Sequence, residues 1–222
     1  MKPDQFIALL YLCTAVFLAA CDKNCKDKNR PVSSYLFELP ATLTPLRDTY
    51  QVGDTITVRS EFDDMVFELE TQKRYHLENW KFYPGTILHK IDTVPAKQEF
   101  APYFDFFVSD IFAPRLVNNE VLSTRYSYDE GKYKLEIILI PKIEGLYYLE
   151  QGSSLYPQDE WQDFPGKCRN ISSEALVTLN NSDDNNIEFL RHSPDPHYSE
   201  WILLEPEARF HKFGGYCFYV VE

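Results

Sequence analysis

The chain is 222 residues long and 44% hydrophobic, with 34 acidic against 22 basic residues and a formal net charge of −12 at pH 7. That length is enough for one large core or two small ones. So acidic a surface has no attraction for phosphate backbones, and no Lys/Arg block longer than a pair occurs, so nucleic acid is not an expected partner.

The first twenty residues have the parts of an export signal: Lys2 near the amino end, an apolar run from Phe6 to Ala20, and small residues at its close. The run is shorter than the roughly 20 apolar residues a spanning helix needs. It ends in Leu18-Ala19-Ala20-Cys21, which resembles the lipobox of bacterial lipoproteins, where the cysteine thiol takes diacylglycerol and becomes the first residue after cleavage. The sequence therefore predicts a signal peptide over 1–20, lipidation of Cys21, and a protein that is anchored to a membrane rather than spanning it. Residues 21–34 are polar, with Pro31 and two serines, and predict a flexible tether.

From residue 35 the pattern changes to short β-type runs separated by Pro, Gly and Asn/Asp. Predicted strands are Tyr35 to Glu38, the alternating Ile56 to Phe62 after a Gly53-Asp54 turn, Met65 to Leu69, Thr86 to Ile91, Tyr103 to Val108 and Leu122 to Tyr128. The clearest is Lys132 to Ile140, where Tyr133, Leu135, Ile137 and Leu139 alternate with polar residues at period two. A turn at Pro141 to Gly145 returns it as Leu146 to Glu150, and Ala175 to Leu179 and Tyr216 to Val221 complete the set. Helical signal is late: Glu205 to Gly215 has Pro and acid first and Gly last, and Asp195 to Leu204 is a second candidate. The fold class expected is all-β, an immunoglobulin-like antiparallel β-sandwich with loop elaborations and one or two short C-terminal helices, forming one domain over 35–222.

Five cysteines sort themselves along this plan. Cys13 leaves with the signal, Cys21 takes lipid and Cys25 lies in the tether. Cys168 and Cys217 are expected to pair, a bridge worth about 4 kcal/mol on the chain-entropy account; the alternative is two separately buried thiols.

Two resemblances follow from particular residues. Glu144-Gly145-Leu146-Tyr147-Tyr148-Leu149 is similar to the tyrosine corner of immunoglobulin-like domains, which implies that the Tyr147 hydroxyl bonds back to the backbone just upstream. Leu149 stands where antibody domains have a cysteine, so the inter-sheet disulfide of those domains is missing. The lipobox, Tyr50-Gln51-Val52-Gly53-Asp54-Thr55, Arg74 to Trp80, the Pro141 to Tyr147 turn and Gly215-Tyr216-Cys217-Phe218 together resemble exported lipoproteins of the Bacteroidetes. That resemblance implies a Gram-negative envelope and outer-membrane anchorage, and carries no activity with it. It also implies O-glycosylation at Asp-Thr-apolar sites, matched by Thr55 and Thr93, although Asp-Thr is also what turn chemistry favours. The stretch after Cys21 lacks the acidic surface-export signal of that group, which favours the periplasmic face over the cell exterior.

Signatures of chemistry are missing from the sequence. The two-His zinc motif, the Gly-x-Ser-x-Gly elbow and a phosphate-cradling loop do not occur. His192, Asp195 and His197 are interrupted by Pro194 and Pro196, and Asn181 to Glu188 lacks the glycine and terminal acid of a calcium loop. No catalytic residue, metal or cofactor is expected. Aromatics are the compositional excess; Trp80, Trp161 and Trp201 sit among polar or Pro-rich neighbours and could stack on sugar rings, the alternative being core or loop roles. The sequence thus points to a non-catalytic binding or structural component with an envelope protein or glycan as partner. A carbohydrate-binding accessory protein is the second reading, and a hydrolase whose carboxylates converge in three dimensions the third.

Overall fold

The computed structural model describes residues 35–109, 113–154 and 173–222, all within one compact unit. In chain order the strands are β1 (Tyr35–Thr44), β2 (Thr49–Gln51), β3 (Ile56–Asp63), β4 (Met65–Glu68), β5 (Lys73–His76), β6 (Tyr83–Lys90), β7 (Lys97–Gln98) and β8 (Phe104–Val108). They continue as β9 (Arg115–Val117), β10 (Val121–Ser123), β11 (Ser127–Asp129), β12 (Lys132–Pro141), β13 (Gly145–Ser154), β14 (Ser173–Leu179) and β15 (Tyr216–Val221). Between β14 and β15 lie short 3-10 and π turns and one four-residue helix, α1 (Pro206–Arg209). The protein is mostly β with a few short C-terminal helices, as the alternation predicts.

Two layers share one strand. The first half of β1 runs parallel to β14, from Tyr35 opposite Ser173 to Ala41 opposite Leu179. Its second half, Thr42–Thr44, pairs antiparallel with β3. On that side β3 pairs with β12, whose other edge takes β11 and β8. On the other side β13 is central, flanked by β6 along one edge and by β15 and then β14 along the other; β6 continues through β10 to β9. Two pairings, β1 with β14 and β15 with β2, are parallel, so the sheet is mixed rather than wholly antiparallel. Where β1 changes partners the Pro40 carbonyl needs a donor, and the core-facing Ser60 supplies it at 2.6 Å while accepting from the buried Tyr126 hydroxyl at 2.9 Å. This satisfies a polar group inside the layer that would otherwise be costly.

Aromatic rings fill the space between the layers. Phe104 of β8 meets Tyr147 of β13 edge-on at 5.0 Å and Phe218 of β15 at 6.3 Å. Towards the other end Phe62 and Tyr133 stack at 5.1 Å and both meet Phe82 edge-on. The Tyr147 hydroxyl donates to the Ile143 carbonyl at 2.9 Å, the upstream bond that the tyrosine-corner resemblance implies.

Four features differ from the sequence reading. Leu122 to Tyr128 is two strands, β10 and β11, because the intervening residues leave the ladder: Thr124 N–H donates to the Pro84 carbonyl and Tyr126 N–H to that of Phe82. Strands β2, β5, β7 and β9 are two to four residues long, too short to show a period. The helix expected over Glu205 to Gly215 is helical at Pro206–Arg209 alone; Phe210 departs from helical geometry to bury its ring, and a 3-10 turn at His211–Phe213 follows. Finally, Cys217 carries a free, fully buried thiol rather than a bridge to Cys168, which lies outside the described residues. Cys217 is held in an apolar cluster with Leu146, Tyr148, Leu190 and Ile202. Burial there, with the Asp184 charge second, pushes its thiol well above the usual range, which suits an inert packing residue.

Glu68, at the end of β4, is fully buried. Its carboxylate accepts from the backbone of Leu36, Glu70 and Thr71 and from the Thr71 hydroxyl. It closes a turn and ties down the start of β1.

Removing the Tyr147 hydroxyl by Tyr147→Phe is expected to cost about 1 kcal/mol of stability in urea denaturation. For Glu68, burial alone would raise the pKa, but the hydrogen bonds from Thr71, Leu36 and Glu70 outweigh it and hold the carboxyl below its ordinary value. A lowered folded pKa means stability that is whole above the ordinary glutamate pKa and lost as pH falls through the folded one. Urea midpoints measured from about pH 6 down to about pH 3 should therefore fall more steeply for the native chain than for Glu68→Gln.

Candidate functional site

The sequence from β13 onwards dictates where an open site is left. Leu146-Tyr147-Tyr148-Leu149 is apolar at every position and every one of these residues is buried, so both faces of β13 must be covered. Tyr147 and Leu149 face the other layer. Tyr148 and Leu146 face outward and are covered by a cap folded from residues 187–213, in a cluster with Ile91, Ile187, Leu190, Tyr198, Ile202 and Phe210. Phe210 stacks on Tyr148 at 5.4 Å.

The cap stops short of the next two rows of the same face. Directly opposed residues on neighbouring strands point to one side of a sheet. One such row is Val117–Val121–Ile87–Glu150, and the next is Arg115–Ser123–Gly85–Gly152, each crossing β9, β10, β6 and β13. All of these except Val117, with Tyr83 at one end and Phe213 of the cap as a wall, line a groove of about 520 Å³, within the range of small-molecule sites. Gly85 and Gly152 face each other across two central strands, so the floor carries no side chain there. Neither glycine is required by backbone conformation, and a Cβ on Gly152 would meet nothing within 4 Å. A glycine inside a strand weakens it, and here the vacated volume is open groove.

The Phe213 wall is fixed from beneath. Gly214 has φ +57°, and a Cβ on it would lie 2.7 Å from the Gln151 carbonyl and 3.0 Å from that of Val177. The turn is thus pressed onto β13 and β14 in a way no other residue permits.

Glu150 is the acidic group of the groove and stands in front of a buried polar chain. Its Oε1 lies 3.6 Å from His89 Nε2, and the His89 side chain is 9% exposed. His89 Nδ1 is 3.0 Å from the Tyr198 hydroxyl, and its ring stacks on Tyr148 at 5.4 Å. Burial, with the Glu150 charge second, keeps the Tyr198 phenol protonated well above its ordinary value. Nδ1 and the Tyr198 hydroxyl share a hydrogen bond whose direction follows the tautomer, while the buried Nε2 makes no hydrogen bond among the described residues and stands 3.6 Å from Glu150 Oε1. Tyr148 is likewise pushed up by burial and then by Glu150. Opposite Glu150, Arg115 is exposed and has no ion-pair partner among the described residues.

The residues singled out from sequence fall elsewhere. Trp80 packs edge-on against Phe37 at 5.8 Å. Trp201 lies in the cap, stacked with His197 at 4.9 Å and with the Arg209 guanidinium 4.0 Å from its ring. Their rings are thus engaged by different parts of the protein. Trp161 lies outside the described residues, as does Cys21. Thr55 is exposed in the turn before β3, and the partly exposed Thr93 donates to the Pro95 carbonyl at 3.1 Å. His192 and Asp195 do separate structural work: His192 Nδ1 is 2.7 Å from the Tyr219 hydroxyl, and Asp195 accepts from the backbone of Ala96 and His197, which lowers its pKa. No group of three potential metal ligands occurs among the described residues. The groove residues escaped sequence reading, although isolated glycines in strand-like segments, Gly85 and Gly152, are a signal of close approach.

Neither a protein-family model nor a curated protein matches the chain. Among solved structures, the CupB6 tip adhesin of Pseudomonas aeruginosa is similar over 67% of this chain at 12% identity, with a TM-score of 0.22; the match spans 42% of the adhesin chain. A likeness of that extent carries no argument about fold or function.

Because the Gly152 Cβ position is empty space, Gly152→Ala is expected to stabilise the fold by about 0.5–1 kcal/mol. A Cβ on Gly85 would lie 3.2 Å from Val121 Cγ1, so Gly85→Ala should gain less or lose stability. Urea denaturation of both variants checks the difference, and a destabilised Gly152→Ala would contradict an open floor.

Proposed function

We propose that the chain is a non-catalytic ligand-binding component of a bacterial cell envelope, anchored through lipid on Cys21 and facing the periplasm from the outer membrane. The observation that carries the binding part is the glycine-floored groove: two directly opposed strand glycines sacrifice sheet stability to leave room that the protein's own side chains do not use. The non-catalytic part rests on the sequence, which carries neither the two-His zinc motif nor the Gly-x-Ser-x-Gly elbow; Glu68 and Asp195 are bound up in backbone hydrogen bonds and Cys217 is buried in the core. The anchoring part rests on Leu18-Ala19-Ala20-Cys21. No described helix is long and apolar enough to cross a membrane.

Two measurements test the two parts. Expressed with its signal, the native chain is expected to carry acyl mass and to sediment with membranes, whereas Cys21→Ser should be released; equal sedimentation would overturn the anchor. A small-molecule fragment library screened by ligand-observed NMR should give hits on the native chain that disappear in Gly152→Trp and are recovered chemically unchanged. Hits indifferent to that substitution would overturn the groove as the binding site, and hits that are turned over would overturn the non-catalytic reading.

A further inference from the structure

Resting on the groove as the binding site, we infer that its ligand is a neutral saccharide, seated with one ring face on the Gly85–Gly152 floor and a hydroxyl on Glu150. The groove mixes two kinds of surface in fixed places. Tyr83, Ile87, Val121 and the 44%-exposed Phe213 present apolar faces. Glu150 accepts hydrogen bonds, Arg115 donates them and Ser123 does both, and these groups stand in the two adjacent rows that form the floor.

Charge narrows the choice of ligand. An anionic ligand would be drawn to Arg115 but would meet Glu150 across the groove and a chain of net charge −12. A cationic ligand would pair with Glu150 and be opposed by Arg115. A wholly apolar ligand would strip water from both charges without replacing their hydrogen bonds, which is expensive for an ionised group. A sugar ring meets all three conditions: its C–H face packs on flat apolar surface, and its hydroxyls donate to a carboxylate and accept from a guanidinium. Flatness matters as much as chemistry. A Cβ at either glycine would lift a ring off the sheet, whereas paired glycines let it lie against bare backbone.

The test uses the full chain and three variants. A panel of neutral mono- to tetrasaccharides with gluco, galacto, manno and N-acetylhexosamine rings, together with a panel of short peptides, is screened by saturation-transfer NMR and followed by calorimetry. The expected result is binding of at least one saccharide to the native chain, weakened about tenfold or more by Glu150→Gln, as fits loss of a charge-assisted hydrogen bond, and abolished by Gly152→Trp. Gly152→Ala serves as the variant whose fold is secure, and it should weaken the same saccharide by lifting it from the floor. If peptides bind in a Gly152-dependent way and saccharides do not, the saccharide inference falls while the groove stands. If saccharides bind equally to native and Gly152→Trp chains, the site itself is misplaced and the binding proposal falls with it. Saccharide binding that is lost in Gly152→Trp but unaltered in Glu150→Gln would overturn the role given to Glu150.

Discussion

A β-strand has two faces, and β13 carries apolar side chains on both. Tyr147 and Leu149 are buried against the opposing layer, while Leu146 and Tyr148 require cover from outside. Each fully buried side chain of this size contributes roughly 2 kcal/mol if it is kept from water, so leaving the outer face bare would forfeit much of what the strand gains. The C-terminal segment exists in its observed form because it meets that demand. It has little regular hydrogen bonding of its own, being a chain of 3-10 and π turns with one turn of α-helix, and its conformation follows from delivering Leu190, Tyr198, Ile202 and Phe210 onto Tyr148. Where β13 turns polar, at Glu150, the demand ends and so does the cap.

The groove is therefore a boundary effect of sequence. The same outward face of β13 reads Leu146, Tyr148, Glu150, Gly152, a gradient from large and apolar to charged to absent, and β6 matches it with His89, Ile87 and Gly85. Burial of the first half gives the second half a rigid foundation. His89 belongs to both regions, covered by the cap through Tyr198 and directed at Glu150 through its other nitrogen.

How much of this was legible beforehand depended on length and on partners. Strands with several alternating residues, such as β3 and β12, show their period and their buried face in the sequence; Ser60 even keeps its inward parity, although its bonds to Pro40 and Tyr126 join segments far apart in the chain. Strands of two or three residues have no period to read, and the parallel pairing of β1 with β14 depends on a strand more than a hundred residues away. Tyr147 was readable because its bond is local, to Ile143. The groove was not, since Arg115, Ser123, Gly85 and Gly152 become a row through registers set by the turns between four strands. The tryptophans do not come together for a related reason: Phe37 meets Trp80 from β1, while Trp201, exposed as its polar neighbours suggest, is held in the cap against Arg209 of α1.

The turn at Phe213-Gly214 divides freedom unequally between adjacent residues. Gly214 is fixed by two carbonyls beneath it, whereas Phe213 projects from that anchored point with almost half its surface free. Substitutions at 214 would be purged for what they do to folding, while those at 213 would alter the wall and little else. Over evolutionary time this chain can therefore vary the wall of the groove one residue at a time, on a frame that does not have to be rebuilt with each change.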